Sequence, residues 1–213
     1  SRDFGHRSPV ETQLLELFPA IEAVRHAKKQ LARWMKPRRC HTGIWFQPGR
    51  SRVLPQPKGG VGVIVPWNYP VYLAIGPLVS ALAAGNRVLI KTSELTPATG
   101  ALLREMCEQY LGDSIAAVVE GGPEVARRFS AMPFDHLLFT GSTAVGRLVM
   151  AAASTHLTPV TLELGGKSPV LVAPGQPLRH VAERIIAGKL VNAGQTCIAP
   201  DYVLVPRHEC EEL

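Results

Sequence analysis

The 213-residue chain is 46% hydrophobic and carries 23 Lys and Arg against 17 Asp and Glu, a formal net charge of +6. A chain of this length buries roughly 70% of its unfolded surface, which excludes disorder as its main state. No apolar run reaches the ~18 residues that a membrane helix needs, because Gly, Pro or a charge interrupts every candidate. The excess charge is confined to residues 1–60, where 12 basic residues stand against 4 acidic ones.

The opening SRDFGHRSPVETQ starts with Ser and has neither the apolar core nor the cleavage pattern of a signal peptide, so it reads as the interior of a longer chain. In ETQLLELFPAIEAVRHAKKQLARWM, the residues Leu14, Leu15, Phe18, Ile21, Val24, Leu31 and Trp34 form a broken stripe at helical spacing. A surface helix with its Lys and Arg turned outward explains the charge. The run KKQLARWMKPRRCH is not read as a nucleic-acid site, because no binding motif accompanies it and such runs are usually solvated faces. The next section, RRCHTGIWFQPGRSRVLPQPKGG, has too much Gly and Pro for a helix and room for two short extended pieces, a hairpin or an arm.

From Gly60 the pattern changes. GVGVIVPW, RVLIKTS, IAAVVEGG, HLLFTGS, PVTLELGG and SPVLVAP are β-branched or apolar runs ended by Gly, Pro or Ser, each expected to be a strand buried on both faces. YPVYLAIGPLVSALAAG, TPATGALLREMCEQYL, PEVARRFSAM and STAVGRLVMAAAS alternate with them as helices. This alternation predicts an α/β fold with a doubly wound parallel sheet, whose ligands sit beyond the carboxyl ends of its strands. The expected organisation is a helical and extended arm over 1–59, a Rossmann-like dinucleotide-binding domain over 60–165, and the start of a second α/β domain over 166–213, opened by SPVLVAP and the helix PLRHVAERIIAGKLVNAG.

Cys40, Cys107, Cys197 and Cys210 include no CxxC and have no His at ligand spacing, so neither a metal site nor a disulfide framework is expected, and a reducing, cytoplasmic setting fits. Buried structural thiols are the expectation for Cys40, Cys107 and Cys210. Glu163 places a charge at the end of an apolar strand, where it should be buried with a partner or face a cavity. Asn68, between strand and helix, has an ordinary use in an Asx turn before Tyr69-Pro70. The turn FTGSTAVG leads from strand into helix through Gly141 and Ser142, with Gly146 inside the helix, and offers free N–H groups to a pyrophosphate. Its GxxxxG spacing differs from the usual GxGxxG fingerprint.

Five stretches stand out: PWNYP, KTSE, FTGSTAVG, LELGG and NAGQTC. Together and in this order they resemble the aldehyde dehydrogenase family, and the resemblance runs through almost the whole chain. NAGQTCIAPDYVLVP, with HLTPVTLELGGKSP before it, is most similar to the class 3 branch that includes coniferyl aldehyde dehydrogenases. The resemblance implies oxidation of an aldehyde to an acid with NAD, NADP being the alternative, and it leans towards an aromatic substrate. It implies Cys197 as nucleophile, the Asn68 amide with the Cys197 N–H as oxyanion donors, and Glu163 as the base that hydrolyses the thioester. It places Lys91 and Glu94, with Ser93 and Trp67 beside them, and the Gly141, Ser142 and Gly146 turn at the cofactor. Such an enzyme is expected to be a dimer or tetramer at full length, acting on a small aldehyde, with no nucleic-acid or membrane partner. Two other readings stay open: a non-catalytic nucleotide-binding module, and a relative that reduces acyl phosphates or acylates coenzyme A with the same thiol. Tyr69, His136, Arg127, Arg128 and Lys167 receive no role.

Overall fold

The computed structural model describes residues 2–212, so Ser1 and Leu213, the outermost residues of the two terminal spans above, lie outside the described residues. The chain opens with a short helix α1 (Pro9–Thr12) capped by Ser8, whose side chain accepts the Val10 N–H. One wide helical turn over Gln13–Leu17 then leads into α2 (Phe18–Trp34). The expected stripe is not the packing face. Leu14, Phe18, Ile21, Val24 and Trp34 are all exposed, whereas Glu16, Ala20 and Ala27 are buried. The extra residue in the wide turn rotates the helix behind it. The small side chains Ala20 and Ala27 are what α2 buries, and the neighbour it packs against is α3 (Tyr72–Ala83).

The Gly- and Pro-rich section is a hairpin: β1 (Arg38–Cys40) pairs antiparallel with β2 (Ser51–Val53) across a loop holding one tight helical turn at Ile44–Phe46. Among the described residues no layer covers this hairpin, and Cys40 is accordingly exposed rather than buried. Cys210, in the last turn, is exposed as well. Only Cys107 matches the expectation of a buried thiol, and burial, with Asp113 and Glu108 nearby, pushes it above the ordinary thiol range.

The alternating strands and helices build one five-stranded parallel sheet. It is formed by β3 (Gly60–Ile64), β4 (Arg87–Lys91), β5 (Ala116–Val119), β6 (His136–Gly141) and β7 (Val160–Leu164), in the spatial order β5-β4-β3-β6-β7. Helices α3 and α4 (Pro97–Tyr110) cover one face, with Val61, Val63, Val65, Ala74, Leu78 and Ile90 in the core beneath them. Helices α5 (Pro123–Ser130) and α6 (Thr143–Ser154) cover the other face, over Ile64, Phe129, Leu137, Phe139 and Val149. Neighbouring strand residues thus point to opposite, equally apolar layers, which is the signature of a doubly wound sheet. Chain order reverses direction between β3 and β6, so the crevice beyond their carboxyl ends is the topological switch point.

Beyond the sheet, β8 (Ser168–Leu171) pairs parallel with β9 (Pro200–Leu204), connected by α7 (Leu178–Leu190). The expectation of strands buried on both faces fails here: β8 alternates between half-buried and exposed, and α7 buries none of its residues. A two-stranded sheet with one helix has too few layers to cover both faces.

Candidate active site

The loops that follow β3, β6 and β7 meet the loop that precedes β9 around a cleft of about 840 Å³. Asn68, Tyr69, Glu163, Thr196 and Cys197 all line it, so residues far apart in sequence meet around one cleft, of which the switch point contributes the side that carries Asn68 and Tyr69. Cys197 is exposed to this cleft. Glu163 is exposed too, not buried as its place in an apolar strand suggests, because β7 is the edge strand and Glu163 sits one residue from its end. It makes no ion pair or side-chain hydrogen bond with the described residues, so a structural ion pair does not account for it.

Asn68 does not form the Asx turn. Its Nδ2 donates to the Gln195 carbonyl at 2.8 Å, while its Oδ1 is buried without a partner among the described residues. An amide nitrogen carries two hydrogens, so the bond to Gln195 fixes the plane of the group and leaves the second N–H to donate elsewhere. Tyr69, given no role above, bridges the same two loops: its hydroxyl lies 2.5 Å from the Thr196 Oγ1.

The segment carrying the thiol has an unusual backbone. Asn192 (φ 51, ψ 38) and Ala193 (φ 55, ψ 31) are left-handed, followed by Gly194 at φ 79. Left-handed backbone costs roughly 1–2 kcal/mol for a residue with a Cβ, least for Asn, so Ala193 bears most of the strain. The turn is held from outside. Asn192 Nδ2 donates to the Asn68 carbonyl at 3.0 Å, and the Asn192 N–H donates to Glu11 Oε1 at 3.0 Å. A hydrogen bond to a charged group contributes about 1.5–3 kcal/mol, the same size as the strain it opposes. None of this is visible in local sequence except the Asn-x-Gly pattern, which favours a left-handed turn; Glu11 lies 181 residues from its partner.

A second cleft of about 400 Å³ adjoins the first and shares Pro66, Trp67, Thr140, Gly141 and Ser142 with it. Lys91, the last residue of β4, and Ser93 and Glu94 beyond it line its far side. Lys91 is almost fully buried and donates to Glu94 Oε2 at 3.2 Å, which departs from an ordinary solvent-exposed strand end. Burial alone would raise the Glu94 carboxyl, but a hydrogen bond from its own backbone N–H and the Lys91 ammonium outweigh it and hold the group below the usual carboxylate value. Ser93 Oγ accepts the Leu95 N–H and closes the turn. At the near side Ser142 caps α6, accepting the Val145 N–H at 3.3 Å. The N–H groups of Thr143 and Ala144 have no intrahelical partner, which makes this end of α6 an anion-seeking edge of the cleft. Gly146 lines neither cleft. A Cβ there would stand 2.9 Å from Leu164 Cδ2 and 3.5 Å from Phe139 Cε1, so its part is to let α6 lie close on the sheet. Arg127 lines the second cleft while paired to Glu124 at 2.6 Å, and Lys167 stays outside, paired to Asp201 at 3.1 Å. Among the described residues no group of three or more His, Cys, Asp or Glu is placed to hold a metal ion, and no helix is long and apolar enough to cross a membrane.

Comparison with known proteins identifies the family and the fold. Residues 7–213 match the model of the aldehyde dehydrogenase family. The chain is 56% identical over 211 residues to the probable coniferyl aldehyde dehydrogenase of Pseudomonas aeruginosa, covering 99% of this chain and 44% of that protein. It is 47% identical to the coniferyl aldehyde dehydrogenase of a Pseudomonas species, again over 99% of this chain and 44% of the relative. Among solved structures, the substrate-bound AldH of Staphylococcus aureus superposes with a TM-score of 0.91 at 40% identity, covering 95% of this chain and 44% of that one. The aldehyde dehydrogenase of Mycobacterium tuberculosis complexed with NAD+ gives 0.86 at 33% identity, over 97% of this chain and 42% of that one. The chain therefore spans less than half the length of the relatives it matches, and over that span it belongs to the aldehyde dehydrogenase family.

Proposed function

We propose that the protein oxidises an aldehyde to its carboxylate with NAD(P)+ as hydride acceptor, through a thioester on Cys197. The observation that carries this reading is the meeting of Cys197, Asn68 and Glu163 on one cleft that adjoins a second, lined by Lys91, Glu94 and Ser142. In this reading, residues 60–165 are the cofactor domain, residues 1–59 an arm, and the segment from residue 166 belongs to the catalytic domain.

Cys197, attacking as its thiolate, forms a C–S bond to the carbonyl carbon while the C=O π pair moves onto oxygen as an alkoxide. The free N–H of the Asn68 amide, oriented by the Gln195 carbonyl, donates to that oxygen together with the Cys197 N–H. A nicotinamide cofactor held at the second cleft would supply the hydride acceptor. Glu163, facing the cleft without a competing partner, takes the proton of the water that hydrolyses the thioester, and the Cys197 thiolate leaves. The residues present fit the cofactor. The unpaired N–H groups at the start of α6 and the Ser142 hydroxyl suit a pyrophosphate, and the Lys91–Glu94 pair suits ribose hydroxyls. A carboxylate at Glu94 accepts from hydroxyls and repels a 2′-phosphate, so NAD+ is expected to give the higher kcat/KM.

The cleft wall includes Trp67, Tyr69 and Tyr72, which favours an aromatic aldehyde of the coniferyl type named for the two Pseudomonas relatives. Acid as the product, rather than a coenzyme A ester, follows from Glu163 standing free in the cleft. The test is transient kinetics on the protein at its full natural length with an aromatic aldehyde. Cys197→Ala is expected to abolish both NADH formation and thiol labelling. Glu163→Gln is expected to release a first-turnover burst of NADH and then stall with the acyl group on the enzyme. Undiminished steady-state turnover in Glu163→Gln removes Glu163 from the mechanism, and a coenzyme A ester as product overturns the hydrolytic reading.

A further inference from the structure

The amino-terminal segment sends charged side chains into both loops of the candidate active site. Arg7 is almost fully buried and pairs with Glu16 at 2.7 Å, and Glu16 accepts the N–H groups of Val71 and Tyr72 through its other oxygen, at 2.7 and 3.3 Å. Those two residues follow Asn68 and Tyr69 and lead into α3. Glu11, one turn before Glu16, reaches the other loop and accepts the Asn192 N–H. From there the hydrogen bonds run on without a break: Asn192 Nδ2 to the Asn68 carbonyl, and Asn68 Nδ2 to the Gln195 carbonyl, two residues from Cys197. One short stretch of helix, residues 11–16, thus ties down the loop that carries the oxyanion amide and the loop that carries the thiol.

We propose that Glu11 is a positioning residue for this site: its carboxylate holds the left-handed turn at Asn192-Ala193-Gly194 and thereby sets Cys197 against the Asn68 amide. The inference rests on the assignment of Cys197 and Asn68 above. Three features favour this role over a general contribution to folding. The acceptor meets the one backbone N–H at the entrance of a strained turn. The turn's own internal bond, Gln195 N–H to the Asn192 carbonyl at 3.0 Å, closes across Ala193 and Gly194, whose left-handed backbone follows directly on the residue that Glu11 holds. No residue of α1 is buried and Glu11 belongs to neither core cluster of the five-stranded sheet, so its removal is not expected to disturb that packing.

The experiment compares Glu11→Ala, Glu11→Gln and Glu11→Asp in the protein at its full natural length, with Glu22→Ala, an exposed residue paired to Arg25, as control. Because sub-ångström misplacement of reacting groups is costly, Glu11→Ala is expected to lose ~10- to 100-fold in kcat with little change in the KM for NAD+. Glu11→Gln keeps an acceptor oxygen and is expected to recover most of that loss, and Glu11→Asp, one methylene short, to fall between. Hydrogen exchange of the peptide containing Asn192, measured without substrate, is expected to accelerate in Glu11→Ala and to return towards the parent in Glu11→Gln. Parent-like kcat and parent-like exchange in Glu11→Ala overturn the proposal. So does a loss that Gln fails to rescue, or one matched by an equal fall in thermal stability in all three variants. If Glu11→Ala does not fold, a parent-like kcat in Glu11→Asp overturns it equally. An absence of aldehyde oxidation in the parent would sink the assigned function, while the exchange comparison would still decide the role of Glu11.

Discussion

His136 shows how a side chain with no part in the proposed chemistry still sets a property of the protein. It opens β6 and sits between that strand and β7, its Nε2 2.9 Å from the Thr161 Oγ1 and its Nδ1 buried without a partner among the described residues. Burial, and secondarily the Lys58 charge, lower it below the ordinary value of 6.5. The folded chain therefore resists a proton that the unfolded chain accepts. Its contribution to stability is complete above 6.5 and is lost as pH falls from there towards the lowered folded value. Urea midpoints measured between about pH 7 and 5 should fall less steeply in His136→Gln than in the parent, and parallel curves would show that His136 takes up its proton equally well when folded. Nothing in the sequence around HLLFTG marks this histidine. The residues that could be read, Cys197, Asn68 and Glu163, each sit in a motif whose order along the chain repeats that of a family. Tyr69, Asn192 and Glu11 could not, because their meaning lies in contacts 124 to 181 positions away.

Elements were legible where a layer covers them. The five strands from Gly60 to Leu164 and the helices between them follow from apolar runs and their Gly and Pro boundaries, because the sheet buries both faces and tolerates no polar alternation. The stripe on α2 misled for the opposite reason: helix–helix contact there runs through Ala20 and Ala27, and small residues carry little weight in a hydrophobic pattern. The same preference for close approach explains Gly62, in the middle of β3. A methyl group there would lie 2.7 Å from Phe134 Cε2 and 2.8 Å from Leu137 Cδ1, and Leu137 is fully buried with nowhere to retreat. Overpacking of this kind typically costs about 1–3 kcal/mol. Gly62→Ala should therefore lower the denaturation midpoint by a corresponding amount, whereas Gly165→Ala, with open space around its added methyl, should stay within ~0.5 kcal/mol of the parent. Equal stability of the two variants would mean that Phe134 and Leu137 can shift, and that β3 is not pinned as closely as the geometry indicates.

At the scale of the molecule, the two halves of the candidate site rest on foundations of unequal strength. Asn68 and Glu163 are carried by a sheet with a core on each face. Cys197 is carried by β8, β9 and α7, a unit in which α7 buries nothing and Leu171, Ile186, Leu190 and Ile198 are each more than half exposed. Two strands and one helix bury too little apolar surface to be independently stable, and exposed apolar groups of this size on a soluble domain mark a surface built to be covered. The 213-residue chain expressed by itself should therefore behave as two regions. Hydrogen exchange over residues 60–164 should be slow and cooperative, while residues 168–204 should exchange faster by a factor of ~100 or more, as expected for a segment that opens locally. The Glu11 and Tyr69 contacts cannot offset this alone, since they hold the thiol loop at its ends and leave the strand behind it unsupported. With the proposed nucleophile on a fluctuating support, the ~0.5 Å tolerance of a productive site is not met, so the proposed aldehyde oxidation should be far weaker in this chain than in the protein at full natural length. Binding of NAD+ at the Lys91 and Ser142 edge should persist weakly, because that edge belongs to the stable sheet. Uniform exchange across both regions, together with a turnover number within tenfold of the full-length protein, would show that β8, β9 and α7 are stable as they stand and that the 840 Å³ cleft is complete within these residues.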